Sequence, residues 1–546
     1  MRIRFSPGSR AVCFCAAMLA PVHGASGQVA PEAPRIRAVA ATLAADEFAG
    51  RAPGTAGGDR AETYLARTMK SVGLEPMGDG GGYLQAVPMH ASRPLPESAV
   101  QLITPCTSRW LRLGQEFLLH TSDPGALAAQ PVSLVFAGYG IVAPEFDYND
   151  YAGLDVRGAI AVVLDGEPPS RDPGWFGGER ATIHASVSVK QRVAMSRGAV
   201  GTVALPSRRS HGDYDWESSR RTLAGEDLTL AYSTSRGLNL ALSPEVAPLL
   251  FCGAAVTFEE VLRWESTHTM RSFPLAASLR PRLVSRERDF RAANVVGLVR
   301  GRDPKLSATA VVVSAHHDHL GLGPAVDGDT IYNGMVDNAL GVAGALEIAR
   351  VLAAGPERPR RSVLVVLTTG EERGLLGSSY FLGHPPLPLE NLVANVNVDG
   401  LAFAGRFRDV VPIGGELSTL GGVVREVAAK AGLEIARPPA AFEHAHWFAF
   451  SDQQAFAEAG VPAVLVNEGF TLDGVSTDEA VARAVRWGSR IYHSPDDEPD
   501  QPLDFSSCEQ HVGLLVELVR SVADDPQPPR WHPGSPYALA RLRASR

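Results

Sequence analysis

The chain is poor in cysteine, poor in long apolar runs and without a surplus of basic charge, and each shortage closes off a class of protein. Five cysteines in 546 residues cannot staple a fold of this size; disulfide frameworks belong to short, cysteine-dense chains. Two of them, Cys13 and Cys15, fall in an N-terminal leader, which leaves Cys106, Cys252 and Cys508. Cys106 and Cys252 either pair or remain buried thiols, and neither alternative bears on the chemistry. Beyond the leader no stretch approaches the roughly 20 apolar residues a membrane-crossing helix needs. Lysine and arginine number 51 against 60 acidic residues, a net charge of −9. A nucleic-acid partner would favour a clustered basic surface, so none is expected. Internal repeats and low-complexity tracts are also missing.

Residues 1–27 have the profile of a secretory signal peptide. Arg2, Arg4 and Arg10 give a basic start, Ala11–Val22 an apolar core too short to span a bilayer, and Gly24–Gly27 small residues suited to cleavage. Export to a periplasmic or extracellular location is the expectation.

The remainder divides by pattern. Residues 35–94 carry the loop GRAPGTAGG, then Ala61, Tyr64, Leu65, Met69 and Val72 at helical spacing, with Gly73 as the stop. This reads as an amphipathic helix covering a core, with no catalytic part. Residues 95–285 alternate strand-like runs, VSLVFAG and AIAVVLDG among them, with Gly, Pro and Asp punctuation. They read as a β-rich domain inserted into the other. His184 and His211 stand alone there and are read as structural. Residues 286–525 resume a strand–helix pattern, and the Pro-rich residues 526–546 read as a loosely ordered tail.

Chemistry concentrates in Val311 to Asp399. The runs Val311–Ala315, Val363–Leu367 and Leu392–Val398 are short, Val-rich and continuous, as strands buried on both faces of a parallel sheet are. The predicted fold class is α/β, a mostly parallel central sheet flanked by helices. Ligands bind beyond the carboxyl ends of such strands, where His316, Asp318, Glu371, Glu372 and Asp399 fall; Asp337 opens the helix between the first two runs. One imidazole and five carboxylates on one rim repel unless protonated or neutralised by a cation.

Individually the residues leave alternatives open. His316 and Asp318 leave an ideal strand on the same face, with His317 and His319 opposite; HHDH is as compatible with structure as with metal ligation. Asp337 is either an N-cap or a carboxylate bridging two ions about 3.5–4 Å apart. Adjacent acids such as Glu371 and Glu372 commonly sit on solvated faces, but these follow a buried run; one can bind metal while the other moves a proton. Nothing local recommends His493. Together the set suits zinc plus a free carboxylate.

The ordered motifs SAHHDHLG, NGMVDNALG, TTGEERGLLGS, NVNVDG and YHSPDDEPD resemble those of the co-catalytic di-zinc peptidases, which include bacterial leucyl aminopeptidases and glutamate carboxypeptidases. GRAPGTAGG and AGYGIVAPEFDYNDYAGLDVRG are similar to members with an inserted protease-associated domain. The resemblance implies two zinc ions bridged by Asp337. His316 and Asp399 would complete one site, and Glu372 and His493 the other. Glu371 would be the general base and later acid, and Asp318 would orient His316. Where many relatives have a histidine after a Ser-Asp pair, this chain has Gln453, which bears on substrate preference if that position touches substrate. The implied activity is removal of N-terminal residues from peptides. A carboxypeptidase would instead need cations such as Arg406, Arg408 or Arg437 for a terminal carboxylate; a one-zinc glutaminyl cyclase and a non-catalytic receptor-like protein are the remaining alternatives.

Overall fold

A computed structural model describes residues 29–121, 130–172, 174–178, 182–208, 216–223, 225–233, 237–442 and 447–544. The expected leader and His211 lie outside these residues.

The three Val-rich runs are the strands Ala310–His316, Ser362–Thr368 and Leu392–Asn397, buried along their whole length. They pair in parallel, with Ala310–His316 in the middle and Ala463–Glu468 beyond Leu392–Asn397. Their alternation explains the two-sided burial. Val311, Val313 and Ala315 join one core with Val363, Val365 and Leu367, while Ala310, Val312, Leu364 and Val366 join another. Each Val or Leu side chain among them, taken fully from water, contributes roughly 1.5–3 kcal/mol. Helices Ala33–Leu43, Ala56–Val72, Gly341–Ala354, Leu420–Lys430 and Phe505–Asp524 cover the first face. Phe381, Phe456 and Tyr537 cover the second.

The parallel run at the centre of this ten-stranded sheet has antiparallel neighbours on both sides. Ser285–Val299 runs antiparallel beside Ser362–Thr368, and Leu84–Pro94 antiparallel beyond it. On the far side Asp409–Ile413 is antiparallel to Ala463–Glu468. Leu84–Pro94 alternates buried and half-exposed residues, the signature of a strand with one wet face. The helix expected from Ala61 to Val72 spans Ala56–Val72; the Thr55 hydroxyl accepts from Gly58 N at 3.2 Å, and Gly73 ends it with φ 84°.

Between Leu84–Pro94 and Ser285–Val299 the chain builds a second, eight-stranded sheet with its own core. Four of its strands, Val132–Phe136, Ile160–Leu164, Gly201–Leu205 and Leu238–Leu242, run parallel side by side. Cys106 and Cys252 are disulfide-bonded with Cα atoms 6.1 Å apart, and Cys508 is a buried free thiol. His184 lies at 2.8 Å from a Glu145 carboxylate oxygen. The intervening segment also reaches back: Asp227–Leu230 pairs antiparallel with Leu84–Pro94 of the first sheet.

The C-terminal tail departs from the expectation of a loose extension. Trp531 Nε1 donates to Gly460 O at 2.9 Å, Tyr537 is 5% exposed and donates to Gln454 Oε1 at 3.0 Å, and Arg541 donates to the carbonyls of Leu392 and Glu390. Proline content marks where the tail is not helical; its Trp, Tyr and Arg side chains decide that it docks. Among the described residues no helix is long and apolar enough to cross a membrane.

Candidate metal centre

The parallel strands end along one edge, and the acidic and imidazole side chains leave from it. His316 is the last residue of its strand, and Asp399 lies two residues past Asn397. Glu371 and Glu372 form a single turn after Ser362–Thr368, entered through Gly370 at φ 72°. A Cβ there would lie 2.9 Å from Met89 Cε, so both backbone sign and space favour glycine.

Asp337 is not an N-cap. It sits in an irregular turn, Met335–Leu340, ahead of the helix Gly341–Ala354, with a cis peptide to Asn338. Asp497 holds that turn: its backbone carbonyl accepts from Met335 N, and its carboxylate accepts from Val336 N and Asp337 N, each at 3.0 Å. The Asp337 carboxylate is thereby left facing the other donors. His493 follows the helix Thr477–Arg490 in a turn with φ 53°.

Two donor sets meet at Asp337. His316 Nε2 lies 3.2 Å from Asp337 Oδ1 and 3.3 Å from Asp399 Oδ1. His493 Nε2 lies 3.2 Å from Asp337 Oδ2 and 3.1 Å from Glu372 Oε2. One carboxylate therefore presents a different oxygen to each set. Asp337 Oδ2 and His493 Nε2 are buried and make no well-formed hydrogen bond despite that closeness. Donor atoms that crowd together without pairing face a shared point, as ligands do. Nitrogen and carboxylate oxygen are the donors zinc takes, so the residues present fit the ions the resemblance implies.

His319 is a second neighbour of the Glu372 set, and His319, Asp337 and Glu372 also approach one another closely enough to hold an ion. Its Nδ1, however, is 2.6 Å from Glu372 Oε1 and 3.9 Å from Asp337 Oδ2. That geometry is a hydrogen bond holding the glutamate, whereas His493 Nε2 is equidistant from both carboxylates. The expectation that His319 points away fails because the strand stops at His316 and its pleat goes no further. His317 does turn away, its Nε2 3.0 Å from Ala293 O, and burial lowers its pKa to about 4.

The electrostatics follow the crowding. Burial opposes the charge on Asp337, but the imidazoles of His316 and His493 outweigh it and hold the carboxyl well below its usual range. Burial likewise works against the proton on His493, yet Glu372 and Asp337 raise its pKa to about 10. Glu371 differs: burial pushes it well above the usual range, and Asp399 and Glu372 add to this against the pull of His316. Its Oε2 lies 4.0 Å from His316 Nε2. Glu371 is thereby poised to carry a proton.

Asp318 acts differently from the expected carboxylate partner of His316. His316 Nδ1 is 3.2 Å from the Asp318 backbone carbonyl and 3.9 Å from its carboxylate, which accepts from Glu371 N at 3.2 Å. The residue so ties His316 to the turn carrying Glu371. Gln453 is fully buried; it accepts from Asn397 Nδ2 at 2.7 Å and donates to the carbonyls of Trp447 and Phe448. It fastens that loop to the strand leading to Asp399.

Four supports escaped the sequence reading. Arg51, in the GRAPGTAGG loop, is fully buried and donates to the carbonyls of His317, Leu43, Asn333 and Gly334. It pins both loops that carry His316 and Asp337 and sets a cation beneath the carboxylates; burial lowers its pKa to about 10. Asp497 lies in the motif YHSPDDEPD, four residues past His493. Arg373 donates to Thr222 O at 2.6 Å, and Thr222 Oγ1 is 3.0 Å from His493 Nδ1. Only the acidic pair after His493 offered a signal for any of them.

Residues 294–519 match the family model described as peptidase family M28. A probable zinc metalloprotease of Leptosphaeria maculans is 34% identical over 111 residues, 20% of this chain and 23% of that protein. Aminopeptidase NAALADL1 of Mus musculus is 31% identical over 138 residues, 24% of this chain and 17% of that protein. The matched stretches thus span less than a quarter of these relatives. The solved structure of an aminopeptidase from Aneurinibacillus sp. strain AM-1 superposes over 92% of this chain and 96% of its own, with TM-score 0.50 and 16% identity, a likeness of fold.

Proposed function

We propose that this chain, whose residues 294–519 are a peptidase family M28 domain, is a two-metal exopeptidase that removes residues one at a time from the free N-terminus of peptides. The observation that carries the reading is the pair of donor sets sharing Asp337, one oxygen to each, with Glu371 beside them. His316, Asp337 and Asp399 would hold one zinc ion, and Asp337, Glu372 and His493 the other. Ions so held supply Lewis acidity toward a carbonyl oxygen and make water a nucleophile near neutral pH.

Glu371 takes the proton of the water that attacks the scissile carbonyl and returns it to the departing amine. Burial raises its pKa in the metal-free site, which suits the half of the transfer in which it holds the proton. Asp318 keeps the Glu371 backbone and His316 in register. Arg51 and Arg373 hold backbone carbonyls on the buried side, and Arg408, one candidate for gripping a terminal carboxylate, is exposed and paired with Asp473 at 2.6 Å. A rim of carboxylates favours a protonated amine over a carboxylate.

A peptide panel with free or blocked termini tests the reading. Release of N-terminal residues only from free amines, lost on chelation and restored by zinc, is expected. Cleavage of N-blocked peptides at the C-terminus would make the chain a carboxypeptidase. We also propose export through residues 1–27, a reading the Cys106–Cys252 disulfide supports, because such bonds persist in oxidising compartments.

A further inference from the structure

His493 stands on no strand or helix, yet its ring is held on three sides. Tyr492 stacks on it with centroids 3.8 Å apart and planes 20° apart. Nε2 faces Asp337 and Glu372. Nδ1 meets Thr222 Oγ1 at 3.0 Å. An imidazole that gives its Nε2 lone pair to a cation carries its proton on Nδ1, and that N–H needs an acceptor. The acceptor here is a hydroxyl.

Thr222 does not belong to the part of the chain that supplies the other donors. It ends the short helix Trp216–Thr222, inside the segment that builds the second sheet. Three contacts fix this arm against the centre. Arg373, next in sequence to Glu372, donates to Thr222 O. Arg288 forks onto the Glu226 carboxylate, with Nη2 at 2.6 Å from Oε2 and Nε at 3.1 Å from Oε1. Asp227–Leu230 adds a strand to the first sheet. The hydroxyl is therefore presented from a braced element.

Resting on the two-ion reading above, we infer that Thr222 is a positioning residue for His493, accepting its Nδ1–H, so that the inserted segment completes one of the two cation sites and not the other. The contrast with His316 makes the inference specific. The Nδ1 of His316 meets the backbone carbonyl of Asp318, two residues away, and needs nothing from the insertion. Loss of an outer hydrogen bond to a ligating histidine costs about 10–100-fold in metal affinity.

The test uses the full chain with T222V and T222A, which lack the hydroxyl, and T222S, which keeps it. Zinc content and dissociation are measured by competition with a chelator, alongside thermal melts. Wild type should hold two ions; T222V and T222A should release one of them at about 10-fold lower chelator or less and keep the other, and T222S should match wild type. Both ions retained as in wild type by a folded hydroxyl-less variant, or equal loss in T222S, overturns the role of Thr222 and leaves the two-ion reading intact. Wild type saturating at one ion overturns that reading first and this one with it.

Discussion

His316 and Asp399 stand at the ends of adjacent parallel strands, so the spacing of the sheet sets their separation before any other contact forms. Glu372 and His493 stand on turns, and their meeting depends on His319, Tyr492 and a hydroxyl reaching in from another part of the chain. Both sets use Asp337. A site built on strand ends inherits its precision, whereas one built on turns has to be braced piece by piece. The first tolerates change around it, and the second fails with its braces.

The largest effect should leave both sets standing. Glu371→Gln is expected to lower turnover about 10²–10⁴-fold while zinc content stays at wild-type level; a lost ion would show that Glu371 is a ligand and the division of roles is wrong. Next, Asp337→Asn should weaken both ions by more than the roughly 10–100-fold of an outer-shell loss, while His493→Gln and His316→Gln each weaken one. Anomalous diffraction at the zinc edge would show which peak each variant loses. Equal loss of both from a single histidine variant would dissolve the distinction between the sets.

A pH effect comes next. In the metal-free protein the pKa of His493 is raised to about 10, and that of His316 is also well above its ordinary value. A raised histidine pKa stabilises the fold fully below the unfolded value of about 6.5 and ceases to do so as pH climbs through the folded value. Melting temperatures of chelator-treated protein should fall between about pH 6.5 and 10, more than those of the zinc-loaded protein, in which metal has displaced those protons. Parallel curves would mean the imidazoles are not ligands. A further test bears on the shared support: Arg51→Met takes a donor from four buried carbonyls and should cost the metal-free protein about 3–5 kcal/mol in urea denaturation.

Legibility in the sequence followed the same division. The parallel strands and the donors at their ends could be read because continuous Val-rich runs ending in acids carry their own periodic signal. Asp337 could be read only as one of two alternatives, since a residue before a helix is ambiguous until the partners of its backbone are known; Asp497 takes its N–H and decides the matter. His493 was visible only through resemblance. Arg51 and Thr222 were not visible at all, because a buried arginine in a glycine-rich loop and a threonine at a helix end acquire meaning from partners hundreds of residues away. The antiparallel flanks and the docked tail escaped for a related reason: alternating burial and single anchoring aromatics leave weak local patterns.

Those distances also set an order of events during folding. Arg51 reaches His317 across 266 residues, and Thr222 reaches His493 across 271. Contacts of such range form late, since the loop must close before the contact rewards it. A growing or unfolded chain therefore displays scattered carboxylates and no assembled pair of sites, and an abundant wrong metal finds nothing shaped to keep it. On the proposed two-ion reading, both sites are complete only once these long-range contacts have closed.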